Sequence, residues 1–558
     1  MKTRNATSAI ALATLAGFGP STSAQQLPSA GSQLQSIPAP QPAVKAPPAL
    51  RIEPRQASAP EPAAGGRITV VSLRITGARL FDEATLLAVT GFRSPTEAGM
   101  TELQAMAERI AAHYRKAGYF AAQAYLPAQD IQDGMVTIAV LEGRYGAVAL
   151  RNNAGLSDRI TQGALAGVNS GDVIATEPLE TRLLTLSDLP GVNVRSTLSP
   201  GAEPGTSDLA VDLTPGRRVT GSVDADNGGN RYTGRYRLGA TVNLNNPLGL
   251  GDVASVRVLT SGKGLQYGRL AYQLQAGRGQ VGVGYSALEY KLGREFAPLQ
   301  ANGTARVASI YGRYPLLRSR NTNAYAQLEF NARTFRDRID SIPVVTDKRT
   351  DVLMASLYGD HRDATGNGLS TWSVTLASGN LDIETPAARA ADAAGARSQG
   401  RFSKLSFNAT RLQNLGGPFS AYASLSGQAA SRNLDVSEKM SLGGMNAVRA
   451  YPEGEAYADQ GAMLTLEGRM LLGNTAWTAP GQVKLVAFID AGTATRDRDN
   501  WAAGPNHRTL YGAGVGANWS LGGDFLARAY YARRLGNERA TSEPDRSGRF
   551  WVQLVKFF

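Results

Sequence analysis

The residues of this chain that could do specific chemistry are charged and few. Gly443-Gly444-Met445-Asn446 forms a Gly-rich turn that runs into Val448-Arg449-Ala450-Tyr451, and further on Phe488-Ile489-Asp490-Ala491-Gly492 lies in an alternating stretch. An arginine in a confined place keeps its charge and offers a planar fork that a carboxylate engages through two bonds. That is chemistry for holding a segment in place, although out of context Arg449 reads as a solvated loop arginine. Candidates for catalysis are sparse. There are three histidines, His113, His361 and His507, and no cysteine. A His-dependent hydrolase or a zinc site therefore has little to build on, and cysteine nucleophiles and disulfides are excluded. No Ser-His-Asp set carries a local signature. Asp224-Ala225-Asp226-Asn227-Gly228-Gly229-Asn230 opens like a calcium loop, but Arg235 stands where the closing Glu belongs. Gly512, Gly514 and Gly516 lack the spacing of a nucleotide loop, and Asp360-His361-Arg362-Asp363 reads as a polar turn. The expectation is a protein that is not an enzyme, with no metal and no cofactor.

What positions these residues begins with the composition. The 558 residues exceed one ordinary domain, and roughly three units are expected. The net charge is +12, from 58 basic and 46 acidic residues. A nucleic-acid binder concentrates its cations on one face with interleaved aromatics; here they are dispersed and alternate with apolar residues, so no nucleic-acid partner is expected. Lys2 and Arg4, the short apolar run Ala9 to Phe18 and the small residues Thr22-Ser23-Ala24 read as a signal peptide over 1–24. No apolar run reaches the roughly 20 residues of a membrane-spanning helix. An exported chain of this kind enters a membrane only as a closed barrel, since lipid offers no partner to free backbone groups. Residues 25–66 are rich in Pro and Ala and read as a semi-extended linker.

Two small α/β units follow. Over 67–145, Ile68 to Ile75 is a β-branched strand, and Thr101 with Gln104 has the spacing of a helix capping box. Leu103, Ala107, Ile110, Ala111 and Tyr114 then line one helix face, which Lys116 and Gly118 end. Strands over Phe120 to Leu126 and Val136 to Leu141 join through Asp133-Gly134. The same order recurs over 146–216: a strand at Ala147 to Leu150, helices over Leu156 to Leu165 and through Leu179, Leu183 and Leu186, and strands at Val192 to Leu198 and Leu209 to Leu213. From 217 to 558 helical periodicity disappears. Ala254/Val256/Val258 alternate with Ser255/Arg257, and Ala324/Ala326/Leu328/Phe330 with Tyr325/Gln327/Glu329. One apolar face and one polar face, repeated in segments separated by turns, is the pattern of a transmembrane β-barrel. A soluble sandwich shares it strand by strand; the export signal favours the barrel.

In this setting the opening residues take on a resemblance. Gly443 to Tyr451 resembles the VRGY-type loop of the Omp85 superfamily, and Phe488 to Gly492 its companion strand motif. His113 to Tyr119, Leu126 to Ile131, Asn245 to Asp252 and the final strand Phe550 to Phe558 resemble stretches of two-partner secretion transporters of the haemolysin secretion/activation type. The resemblance implies an α+β pair of POTRA-like domains (67–145 and 146–216), then an all-β barrel of about 16 antiparallel strands. It implies that the loop folds into the lumen and presents Val448, Arg449, Ala450 and Tyr451 to an inner-wall motif of Phe488, Asp490 and Gly492, with Arg449 meeting Asp490. Ala450 stands where Gly is commoner in the family. Phe558 would be the membrane-insertion signal read by the barrel-assembly machinery, and Lys556 would face lipid near the interface. The function implied is a Gram-negative outer-membrane pore whose periplasmic POTRA domains bind a secreted, β-rich exoprotein. A barrel-assembly or translocation-assembly protein of the same superfamily is the alternative. Relatives often hold an N-terminal helix in the pore, and only Leu27 to Ile37, broken by Pro28 and flanked by Pro38, could supply one here.

Overall fold

A computed structural model describes residues 27–39, 49–52, 66–473 and 480–558. The expected signal peptide lies outside them. In chain order come α1 (Ala30–Gln35) and β1 (Ala49–Ile52), and then the first α/β unit. This holds β2 (Ile68–Val70), β3 (Ser72–Thr76), α2 (Glu83–Thr90), β4 (Thr96–Ala98), α3 (Met100–Lys116), β5 (Gln123–Tyr125) and β6 (Met135–Leu141). The apolar face of α3, from Leu103 through Ile110 to Tyr114, packs on Val136, Ile138 and Val140 of β6. The helix starts two residues earlier than the Thr101-x-x-Gln104 spacing suggests. Glu102 reaches back to accept from the Gly99 amide at 2.7 Å, so the first turn is closed from Gly99.

The second unit holds β7 (Arg144–Asn152), α4 (Asp158–Leu165), α5 (Thr176–Ser187), β8 (Val192–Pro200) and β9 (Thr206–Pro215). Leu179, Leu183 and Leu186 of α5 bury against Leu209, Val211 and Leu213 of β9. Its sheet has the order β1-β8-β9-β7, because β1 runs parallel along the outer edge of β8, pairing Leu50 with Ser196 and Ile52 with Leu198. The stretch read as a linker therefore contributes a helix and an edge strand. The edge of β8 offers free backbone groups, and four residues of any extended chain satisfy them.

The barrel begins with β10 (Val219–Asp226), β11 (Arg237–Asn245), β12 (Val253–Thr260), β13 (Leu265–Ala276), β14 (Gly279–Lys291) and β15 (Ala301–Arg318). It continues with β16 (Thr322–Ile339), β17 (Val344–Arg362), β18 (Gly368–Ile383), then α6 (Pro386–Ala394) in a loop, β19 (Gly400–Gly416) and β20 (Phe419–Ala430). The loop after β20 contains β21 (Met440–Ser441) and β22 (Tyr457–Ala458). The wall is completed by β23 (Gln460–Leu471), β24 (Gln482–Thr495), β25 (His507–Leu521), β26 (Phe525–Leu535) and β27 (Gly548–Phe557). Sixteen antiparallel strands close the ring, β27 returning to β10. Val256, Val258, Leu328 and Phe330 point outwards as the alternation requires. The closing seam pairs five residues, Ser222–Asp226 with Gln553–Phe557, whereas β16 and β17 pair along all of Thr322–Ile339. Beyond the seam, Gly221 and Phe558 exchange backbone bonds of 3.0 and 3.1 Å, and the Phe558 ring lies where a Cβ on Gly221 would be.

Two smaller expectations change in detail, and Lys556, on the outward face of β27 as expected, gains partners. Asp360, His361 and Arg362 belong to the end of β17, with the turn starting at Asp363, because Asp360 and His361 pair with Asn323 and Thr322 of β16 and Arg362 with Leu369 of β18. Asp224 and Asp226 lie inside β10 and face Arg257 and Arg237, so strand pairing, not a loop, arranges those carboxylates. Lys556 lies 4.1 Å above the Phe525 ring, with Asp524 3.9 Å from its ammonium.

Candidate functional site

The 29 residues between β20 and β23, 431–459, turn back into the barrel instead of leaving it. Gly443 and Gly444 let the chain fold tightly: Gly444 has φ +121°, and a Cβ on Gly443 would strike the Pro452 carbonyl. This brings Val448, Arg449, Ala450 and Tyr451 against β23 to β27. The Arg449 Nη2 and Nε donate to Asp490 Oδ1 and Oδ2 at 2.8 and 2.9 Å, and the Arg449 backbone amide donates to Oδ2 at 3.1 Å. Its Nη1 donates to Glu467 Oε1 at 2.8 Å. Asp490 is 0 % exposed and Arg449 5 %. Thr465 adds a 2.9 Å bond to Asp490. The guanidinium carbon sits 3.4 Å from the Phe488 ring centre and 5.1 Å from that of Tyr530, and the Trp551 indole donates to the Arg449 carbonyl at 2.7 Å. Burial opposes the charge of this loop arginine, but the bonds to Asp490 and Glu467 hold its pKa above the ordinary arginine value.

Every other residue of the two motifs is in the same assembly. Gly492 gives Val448 and Leu442 their seat, since a Cβ there would stand 3.0 Å from both. Tyr451 is fully buried and donates to the Glu538 carbonyl at 2.9 Å. Ala450 is accommodated without positive φ, and its methyl rests on Gly512, where a Cβ would approach within 2.5 Å. The glycines of β25 thus form a platform. Gly512 receives Ala450, Gly514 the Phe488 ring and Gly516 the Tyr530 ring. Reading the sequence did not assign that stripe to the site, nor Glu467, Tyr530 or Trp551. The every-second-residue glycines were the available signal.

The rest of the loop is held by further ion pairs. Lys439 reaches Asp497 at 2.8 Å and Asp459 at 3.1 Å, and Arg508 reaches Glu455 at 2.9 Å. Glu438 receives Arg333 at 2.6 Å and Lys404 at 2.9 Å. Into the space beside this loop fits α1. Its Ala30 amide donates to Asp337 at 2.8 Å, Gln35 donates to the carbonyls of Val436 and Lys439, and Arg237 caps it at the Ser36 carbonyl. Gly31 lies so close to Ser437 that a Cβ would come within 2.7 Å. The lumen is therefore filled by two segments, α1 from before the barrel and the loop between β20 and β23 within it, and they touch each other.

A family model for "Haemolysin secretion/activation protein ShlB/FhaC/HecB" matches residues 205–519. The chain belongs to this family. As a member of it, the protein is an outer-membrane transporter of the two-partner secretion type. A second model, for a POTRA domain of ShlB type, matches residues 68–143, and POTRA domains of such transporters lie in the periplasm. Among curated proteins, the heme/hemopexin transporter protein HuxB of Haemophilus influenzae is 28 % identical over 471 residues, 83 % of this chain and 82 % of that one. The outer membrane transporter CdiB of Dickeya dadantii is 25 % identical over 469 residues, 81 % of this chain and 80 % of that one. The solved structure of CdiB from Escherichia coli superposes with a TM-score of 0.69 at 22 % identity, over 91 % of this chain and 93 % of that one, and shares the fold. These relatives are transporters, and what is transported in two-partner secretion is a secreted exoprotein.

Proposed function

We propose that this transporter receives an extended, β-rich exoprotein in the periplasm by strand addition to its α/β units, and passes it through the barrel to the cell surface. Residues 146–216 act in this reading as a second POTRA domain. The observation that carries the capture step is β1 lying along β8. An edge that holds four residues of an unrelated Pro-rich segment by backbone bonds accepts another extended chain with little demand on its sequence. Passage requires the lumen to be cleared of α1 and loop 431–459, both of which are held there by side-chain contacts and not by strand pairing with the wall. Arg449 and Asp490 then serve as the lock that seats the loop, with Val448, Ala450, Tyr451, Phe488 and Gly492 as its packing. Folding of the exoprotein outside the cell supplies the direction of transport. Phe558, at the seam, serves insertion of the barrel by the barrel-assembly machinery.

The test is to look beside the gene for a reading frame encoding a large, exported, β-repeat protein and to follow the secretion of that protein in cells with and without this chain. The expected result is exoprotein at the surface or in the medium only when the chain is present. Equal release from cells lacking it would overturn the reading.

A further inference from the structure

The cations that face the lumen fall into two sets. In the extracellular half they are neutralised by acids of the wall or of the inserted loop, as with Arg237 and Asp226, Lys348 and Asp435, and Arg333 and Glu438. In the periplasmic half they are not. Arg269 of β13, Lys484 of β24 and Arg528 of β26 have no hydrogen-bond or ion-pair partner among the described residues. Arg313 of β15 donates to the neutral Gln280, whereas Arg469 of β23 is paired with Glu467 at 2.7 Å, in a neutral set of two arginines and two carboxylates with Arg449 and Asp490. The acids near this half elsewhere are Glu329 and Asp360, which accept from the amides of Gln327 and Asn323, and Asp224, which is taken by Arg257 directly across from Arg269.

The cations are also grouped. Lys484 lies opposite Asn518, and Asn518 opposite Arg528, in one lateral row of the wall. With strands about 4.8 Å apart, the two charges stand roughly 10 Å from each other. Arg469 pairs with Val486, two residues along β24 from Lys484. An extended chain crossing this patch places alternate side chains on one face at about 7 Å intervals. Lys484 and Arg528, one strand apart across β25, can each meet a carboxylate of such a chain. A lumen lined by one sign of charge between low-dielectric walls focuses the field and concentrates the opposite sign.

We propose that the periplasmic half of the lumen is a recognition surface for acidic, extended polypeptide, so that the segment of exoprotein entering the barrel carries a net negative charge. The proposal rests on the transport reading and narrows the class of its cargo. The barrel region 217–558 contributes 41 Lys and Arg against 28 Asp and Glu, whereas residues 146–216 contribute four against eight. The second α/β unit thus repels the same peptide, and a preference for acid arises in the barrel.

The purified full-length chain in zwitterionic detergent is titrated into fluorescent, unstructured peptides of about twenty residues. One peptide is built of Asp, Gly and Ser, and the other has Lys in place of Asp. Anisotropy is expected to show the acidic peptide bound at least about ten-fold more tightly, with the difference shrinking as salt screens it. In K484E/R528E the preference is lost or inverted; in K484Q/R528Q, which keeps the wall neutral if the reversal does not fold, it is reduced. Equal binding of the two peptides overturns the proposal, as does an acidic preference unchanged by either double variant. The assay needs no natural cargo, so its failure is separate from failure of the secretion test.

Discussion

The carboxylate of Asp490 holds Arg449 by its side chain and by its backbone at once, one oxygen accepting both the Nε and the amide. The loop tip is therefore fixed in position as well as in charge, and the fork lies flat on Phe488. Arg449→Ala leaves two buried carboxylates, Asp490 and Glu467, without their cation, a change of the kind that costs about 3–5 kcal/mol. The expected outcome is normal barrel abundance in the outer membrane and exoprotein secretion reduced by about ten-fold or more, given that loss. Immunoblots of membrane and medium measure both, and unchanged secretion at equal abundance would remove the lock from the mechanism. Arg449→Lys keeps the charge but not the fork, and falls between.

Gly512 and Ala450 form the second prediction. Gly512→Ala places a methyl 2.5 Å from that of Ala450 and unseats the loop tip without touching the backbone pairing of β25. Limited proteolysis should cut loop 431–459 faster in this variant. Ala450→Gly in the same chain restores protection; if it does not, the contact between these two residues is not what seats the loop.

Glu453 gives the loop a pH dependence. Its carboxyl is pushed up to about 7, chiefly by burial, with Arg237 pulling it down and Asp226 and Glu543 pushing it further up. The seated loop binds this proton more tightly than a solvated glutamate does. Seating is thus strongest below the ordinary glutamate range and weakens as pH rises through about 7. Protection of amides 443–459, taken relative to their intrinsic exchange rate at each pH, should be greater at about pH 6 than at about pH 8, and Glu453→Gln should flatten the difference. Greater protection at the higher pH would contradict the sign.

The edge strand supplies the fourth. Leu50→Pro removes a backbone donor from β1 and disfavours its pairing with β8. Amide exchange over residues 195–198 is expected to rise by about ten-fold or more as the edge opens, since local opening sets exchange there. No change would mean that β1 does not protect this edge in solution.

Much of the site was legible because it is local. Val448 to Tyr451 and Phe488 to Gly492 are short runs whose order in the chain carries the resemblance, and alternation alone assigned the outward faces of the strands. Glu467, Tyr530, Trp551 and the glycines of β25 were not legible. They reach Arg449 from four different strands, and only the register of the closed ring brings them together. The helix α1 lies inside Leu27 to Ile37, the stretch read as able to supply one, but that it forms was not legible, for another reason. Six residues are far too short to be helical on their own propensity, and this helix stands because Ser29 caps it and the lumen supplies its neighbours. The misplaced start of α3 has a similar cause: Gly99 has no side chain to announce a cap, and Glu102 does the capping from inside the first turn.

The seam between β10 and β27 gives the barrel a mechanical weak point. A closed wall under outward load behaves as a hoop, and tension is equal all round it. Five residue pairs resist that tension at the seam, against eighteen between β16 and β17. Whatever swells the lumen, the yield point lies beside Gly221 and Phe558, where two backbone bonds and one aromatic ring serve as the clasp.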